Sequence, residues 1–308
     1  MAKHKSQFKN WKCRCSSLGH ILTNADKVTA TQIATIAKHE KRRDDPKQKD
    51  LTPTMKTELI TLIAKRDAPD ALSSGIKTHL DNIFRVEYWG RRRLLFNKFL
   101  DKGNICEADS LSLASDMDGF FYTKNEDYFE NKWIKGTPDN KQEKIKDTKT
   151  AFDMESFDNA DLSTLYRWQI KGYIWLLLNE LKNYKGELIY CLVNNPYHQL
   201  VNEKNSLYYK MGTPEDNDPL FVEGKQQLER NMIFDIEAWN ENYPNYDFDS
   251  TELDFDIPKH LRIKRWDVVL NSREIHFIKN RITLCREYLM EKETEVLDKI
   301  KAYASRKT

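Results

Sequence analysis

Gly136-Thr137-Pro138-Asp139 and, after seven intervening residues, Asp147-Thr148-Lys149 form the stretch on which the reading of this chain turns. Alternate residues of a strand point to one face, so Asp147 and Lys149 emerge together at one site. Asp139 ends the preceding strand, and a hairpin of this length returns it beside Asp147. Two carboxylates offer the oxygen ligands that a hard divalent cation prefers. An adjacent lysine can orient a bound water, or help deprotonate it, for attack on a phosphodiester. The fragment is short, and in a chain with 48 Asp and Glu it also arises by chance. Its surroundings therefore decide.

Working outward, Asp118–Thr123, Lys132–Pro138 and Lys144–Phe152 are short aromatic or alternating segments between polar turns, which predicts three successive antiparallel strands. Ser163–Leu181 has helical apolar spacing and Glu187–Val193 reads as one more strand. Within that helix Gln169 and Tyr173 are four residues apart and share a face. Upstream, Lys102-Gly-Asn-Ile-Cys-Glu107 brings a third carboxylate on or near a helix end. A long helix is expected over Gly75–Leu100, with Leu80, Ile83, Phe84 and Tyr88 as its apolar stripe. Thr52 and Pro53 read as the N-cap and first residue of another. The charge-dense stretch 37–53 reads as a mobile loop, the chain beyond Pro196 as mainly irregular and helical, and Ser272–Ala304 as a long C-terminal helix. The fold class is α/β, in the order helix, three strands, helix, strand.

Three carboxylates, a lysine and a Gln/Tyr pair in this order resemble the PD-(D/E)XK nuclease superfamily, and within it the phage lambda-exonuclease-like recombination nucleases. The resemblance runs from about Arg14 to Leu192 and is densest over 103–173. It implies a restriction-endonuclease-like αβββαβ core with a mixed central sheet flanked by helices. Helical additions lie at both ends. Residues 1–308 then form one nuclease domain, with a catalytic core over 12–195 and a mainly helical extension over 196–308. It further implies that Glu107, Asp139, Asp147 and the carbonyl of Thr148 ligate Mg²⁺, with Mn²⁺ as substitute. Lys149 would be the catalytic lysine, and Gln169 and Tyr173 would support the site and contact DNA. Arg14, Ser16 and Ser17 resemble an N-terminal element of the same exonucleases that receives a terminal 5′-phosphate; a guanidinium fork and a hydroxyl suit that anion.

The implied activity is 5′-to-3′ digestion of double-stranded DNA ends in phage-type recombination. An endonuclease or repair nuclease with the same site, or a catalytically idle DNA-binding protein of this fold, is the alternative. Implied partners are a single-strand annealing or single-strand DNA-binding protein and further copies of the chain in a trimer ring. The setting would be the cytoplasm of a bacterial host. At the level of residues, a surface role for Glu107, a packing role for Gln169 and a helix cap at Ser16 or Ser17 stay open.

Composition narrows the field. The 308 residues carry 50 Lys and Arg against 48 Asp and Glu, which excludes a strongly basic protein. The balance conceals two basic ends around an acidic middle: residues 1–50 hold 12 basic and 5 acidic side chains, 215–256 hold 2 and 13, and 257–308 hold 13 and 7. Basic faces concentrate phosphate-bearing partners, whereas the acidic segment can repel nucleic acid from a wrong surface or dock a basic partner. Arg262, Lys264 and Arg265 are candidates to track a DNA backbone. Five scattered cysteines suit reduced thiols. The seven histidines never fall at i,i+4 metal spacing, no apolar run reaches 18 residues, and the polar N-terminus does not read as a secretory signal. There is no Walker A loop, so motor activity would have to come from another protein.

Overall fold

The computed structural model describes residues 6–22, 28–45, 47–67, 71–94 and 96–306. The chain groups into two compact units, one made of Met1–Lys12, Leu18–Arg92 and His276–Thr308, the other of Cys13–Ser17 and Arg93–Ile275. Each is discontinuous in sequence, which is why no shift of composition marks a boundary. Among the described residues no helix is long and apolar enough to cross a membrane.

The first unit is helical, with α1 (Leu18–Leu22), α2 (Ala30–Asp44), α3 (Pro53–Asp67), α4 (Ser74–Trp89) and most of the C-terminal helix. The α2 and α3 helices meet through Ile36, Leu59 and Leu62. Half of the stretch read as a loop over 37–53 is thus helix, because Ile36 anchors a charged helix whose N-terminus is closed by a Thr29–Gln32 capping box. Pro46, within that stretch, lies outside the described residues. Thr52 caps α3 as expected, its hydroxyl accepting from Met55 N at 3.3 Å. The α4 helix buries Ile76, Leu80 and Phe84 but stops far short of Leu100. Gly90 adopts φ +65°, and its N–H bonds back to the carbonyls of the last turn. That left-handed closure ends a helix wherever glycine makes it cheap.

The second unit carries the sheets. A first, three-stranded sheet has the order β1 (Cys13–Arg14), β3 (Ile134–Gly136), β2 (Phe129–Glu130). Helices α5 (Lys98–Ile105) and α6 (Glu107–Asp118) precede β2 and β3. A second sheet follows with β4 (Ile145–Thr150), α7 (Met154–Asp158), α8 (Thr164–Leu181) and β5 (Lys185–Cys191). Next come α9 (Tyr197–Lys210), α10 (Pro219–Met232), α11 (Ile236–Asn242), β6 (Ile263–Val269) and the 33-residue α12 (Ser272–Ala304). The β4 strand runs parallel to β5, with α7 and α8 as the crossover, and β6 returns antiparallel on the far side of β5. The α/β class, the mixed sheets and the helical ends agree with the sequence reading.

Three details differ from that reading. Asp118–Thr123 is not a strand, because α6 continues to Asp118 and Gly119 closes it at φ +61°. The three strands do not form one antiparallel run. Only β2 and β3 pair that way, while β4 joins the other sheet and meets the hairpin through an isolated Asn140–Lys146 bridge. The region beyond Pro196, read as helical and irregular, contributes β6 to the sheet that carries Asp147.

The second sheet is covered on both faces. On one side Cys106, Leu111, Leu113 and Ala114 pack against Ile189 and Cys191. On the other lies α8, started by Ser163, whose hydroxyl accepts from Tyr166 N at 3.2 Å. Gly186 permits that approach. A Cβ there would sit 2.7 Å from Ile170 Cγ2, 3.1 Å from Ile174 Cδ1 and 3.2 Å from the Ile145 carbonyl. Overpacking of this kind costs roughly 1–3 kcal/mol, more than the fraction of a kcal/mol that glycine-to-alanine exchange returns through the unfolded chain. Gly186→Ala should therefore lower the urea midpoint of unfolding. An unchanged or raised midpoint would show that α8 yields without cost.

Candidate active site

The β4 strand presents Asp147, Thr148 and Lys149 at the edge facing the β3 turn. Pairing with β5 sets Asp147 against Leu188 and Lys149 against Tyr190. Asp147 is fully buried. Asp139 reaches the same place from the turn after β3, its Oδ2 accepting from Thr148 N at 2.8 Å. Lys149 Nζ lies 2.6 Å from Asp147 Oδ2, a close ion pair at a buried oxygen. Gln169 Nε2 donates to Asp147 Oδ1 and to the Tyr173 hydroxyl, each at 3.1 Å. Asp139, Asp147, Lys149, Gln169 and Tyr173 thus form one cluster.

Its electrostatics follow from burying two acids side by side. Burial, and then the neighbouring Asp147, push the Asp139 carboxyl up to about 7, against the opposing pull of Lys149 and the Thr148 N–H. Burial works to lower Lys149, but Asp147 and Asp139 reverse it and hold the ammonium well above the ordinary lysine range. Burial, and secondarily Asp147, raise the Tyr173 hydroxyl and the Cys15 thiol. The protons of Asp139, Lys149, Tyr173 and Cys15 are therefore held more tightly than in water.

Two adjacent carboxylates beside the Thr148 carbonyl are an all-oxygen donor set of the kind that suits a hard cation such as Mg²⁺. Glu107 stands apart from it. It opens α6, and its Oε2 pairs with Lys124 Nζ at 2.8 Å. Accordingly, among the described residues no three His, Cys, Asp or Glu side chains are grouped to hold a metal.

Next to this cluster lies a cavity of about 410 Å³ lined by Arg14, Ser16, Tyr128, Lys135, Thr137 and Tyr173, with Cys15 and Gly136 in its wall. Arg14 and Lys135 are register partners on the parallel strands β1 and β3, so their side chains leave the same face. Ser17 does not line it. Lys135 and Thr137 were not singled out in the sequence, although Thr137 adjoins the Pro-Asp pair; the pairing of β1 with β3, remote in sequence, is what brings them in. A Cβ at Gly136 would lie 2.8 Å from Tyr173 Cε1 and 3.3 Å from Cys15 Sγ. Glycine there lets the strand press against α8.

The three cations near β6 that were candidates for a DNA backbone are engaged within the fold. Arg262 pairs with Asp235 at 2.8 Å, Lys264 donates to the Phe157 and Asp158 carbonyls at the end of α7, each at 2.8 Å, and Arg265 pairs with Asp118 at 2.9 Å. All five cysteines are buried, and none is in a disulfide.

The chain is similar in fold to a phage-related exonuclease from Haemophilus somnus, with a TM-score of 0.56 and 18% identity over 93% of this chain and 97% of that one. An alkaline exonuclease from Laribacter hongkongensis aligns at 10% identity and a TM-score of 0.44, over 92% of this chain and 95% of that one. No protein-family model and no curated protein matches the chain.

The Asp139 shift sets a pH dependence for the metal-free protein. The carboxyl is raised above its usual 3.8 on folding, so the folded state binds the proton more tightly than the unfolded one. The destabilisation is absent below about pH 4, grows as pH rises towards 7 and is complete above it. Asp139→Asn keeps an acceptor for Thr148 N–H while removing the charge. In EDTA it should raise unfolding stability by on the order of 1–2 kcal/mol at pH 8 and leave it unchanged near pH 4. Equal stabilisation at both pH values would contradict the repulsion.

Proposed function

We propose that this chain is a metal-dependent DNA nuclease, specifically a 5′-to-3′ exonuclease that acts on double-stranded DNA ends in phage-type recombination. The observation that carries the reading is the convergence of Asp139, Asp147 and Lys149 with Gln169 and Tyr173, beside a cavity that presents Arg14 and Lys135. Likeness of fold to a phage-related exonuclease supports it.

Asp139 and Asp147 would hold the cation, together with the Thr148 carbonyl. Bound there, Mg²⁺ or Mn²⁺ would neutralise charge on the phosphoryl oxygens and lower the pKa of an attacking water. Gln169 fixes the orientation of Asp147 through Oδ1, while Oδ2 faces the Lys149 ammonium. Lys149 enters as an ammonium. Its role is then to donate to the attacking water or to a phosphoryl oxygen and so orient them, rather than to abstract a proton. Arg14, with Lys135 on the neighbouring strand and the hydroxyls of Ser16 and Thr137, would receive the terminal 5′-phosphate. That anchoring is what would restrict the same chemistry to ends.

Two measurements test the reading. Asp147→Ala and Lys149→Ala should each abolish cleavage of linear duplex in Mg²⁺ while the circular dichroism spectrum stays native; more than a few per cent of wild-type cleavage in both would sink the assignment. Arg14→Ala should slow digestion of a 5′-phosphorylated duplex about ten- to a hundredfold, the loss of one charge-assisted contact, and slow a 5′-hydroxyl duplex little. Equal losses on both ends would leave the nuclease but remove end recognition.

A further inference from the structure

Lys124 is the side chain that the proposed mechanism leaves unused and that the structure nonetheless builds into the centre. Its backbone is tied to the Pro138–Asn140 turn from both sides. Asn140 Nδ2 donates to the Thr123 carbonyl at 2.9 Å, Asn125 N donates to the Asp139 carbonyl at 2.7 Å, and Asn125 Nδ2 donates to the Pro138 carbonyl at 2.9 Å. Asn125 is itself buried, at 8% exposure, so this anchor is held away from competing water. From this fixed base the Lys124 ammonium extends to Glu107 Oε2 at 2.8 Å. The hydrogen bond that Lys124 donates to Glu107, and then the fields of Glu107, Asp139 and Glu126, raise Lys124 above the ordinary lysine range. Asp139 in turn feels Glu107 among its neighbours. Lys124, Glu107 and Asp139 therefore share one electrostatic neighbourhood.

We propose that Lys124 is the resident counter-ion of Glu107, taking the carboxylate that a divalent cation would recruit as its third ligand, so that the metal and Lys124 compete for Glu107. The inference rests on the proposed metal-dependent reading of the site and concerns how the site fills. Three observations carry it. Asp139 and Asp147 are already together and Glu107 is not. The group that occupies Glu107 is a single cation. Moreover, that cation is positioned by hydrogen bonds to the very turn that holds Asp139. Glu107 sits in the first turn of α6, where the helix dipole favours a carboxylate. Exchange of one cation for another leaves the local charge balance nearly intact, and the lysine displaced in this way remains beside the site as a free positive charge.

The test is metal uptake by the full chain without DNA. Mn²⁺ is titrated calorimetrically and by its paramagnetic resonance signal into wild type, Lys124→Met, Glu107→Gln and the double variant. An exposed ion pair is a weak competitor, so Lys124→Met should bind Mn²⁺ about three- to tenfold more tightly than wild type. In the Glu107→Gln background the same substitution should change the affinity less than about twofold, since the contested ligand is gone. Lys124→Arg, which keeps the ion pair, should stay close to wild type. Equal tightening in both backgrounds would reduce Lys124 to a general charge effect and overturn the inference, as would unchanged or weakened binding in Lys124→Met. Either result would leave the nuclease reading standing, provided wild type binds Mn²⁺. If none of the variants takes up Mn²⁺ while circular dichroism shows them folded, the metal-dependent reading falls and this inference falls with it. Lys124 is half exposed, with 52% of its side chain accessible, so its replacement leaves the packing intact.

Discussion

Two carboxylates brought side by side in a desolvated place are the constraint around which the second unit is arranged. Asp147 is buried on a strand that is flanked by packed layers, and Asp139 is bent against it by a backbone N–H of the same strand. Like charges at this proximity repel, and the repulsion is offset in three ways: the Lys149 ammonium, the Gln169 amide and the partial protonation of Asp139 at neutral pH. A compact divalent charge would complete that balance, which is the physical basis of the proposed cation binding.

The packing serves the same end. The α8 helix supplies Gln169 and Tyr173 from one face, and it reaches both sheets because two glycines, Gly136 and Gly186, leave room for Tyr173 and Ile170. A side chain at either would push the helix outward and carry the Gln169 amide away from Asp147. Buried helix-to-sheet contact and alignment of the cluster are consequently one requirement, not two.

Charge is distributed with comparable economy. Much of the acidic segment at 215–256 is tied internally: Glu229 and Asp249 share Lys204, Asp249 also takes Lys225, and Asp235 holds Arg262. Its excess of acid is therefore in part structural, knitting α9, α10 and the following loop. The cations of β6 are likewise occupied. Arg14 and Lys135 face one cavity from adjacent strands and take part in no such ion pair among the described residues, a contrast on which their proposed role toward an anion rests.

The residues of the cluster were legible in the sequence because each belongs to a local pattern. A period of two on β4 couples Asp147 to Lys149, and a spacing of four on α8 couples Gln169 to Tyr173; both depend only on backbone geometry within one element. The order helix, strands, helix, strand was legible for the same reason. What depended on pairing between distant segments was not. The split of the strands into two sheets, the parallel union of β1 with β3 that adds Lys135 and Thr137 to the cavity, and the arrival of β6 from beyond residue 260 are all long-range choices, made by which edges find partners when the chain collapses. The same holds for Glu107. Its type and its place on or near a helix end could be read from the sequence, but whether its carboxylate turns to Asp139 or to Lys124 is decided by a loop anchored on the Pro138–Asn140 turn, a contact between elements that no local periodicity encodes.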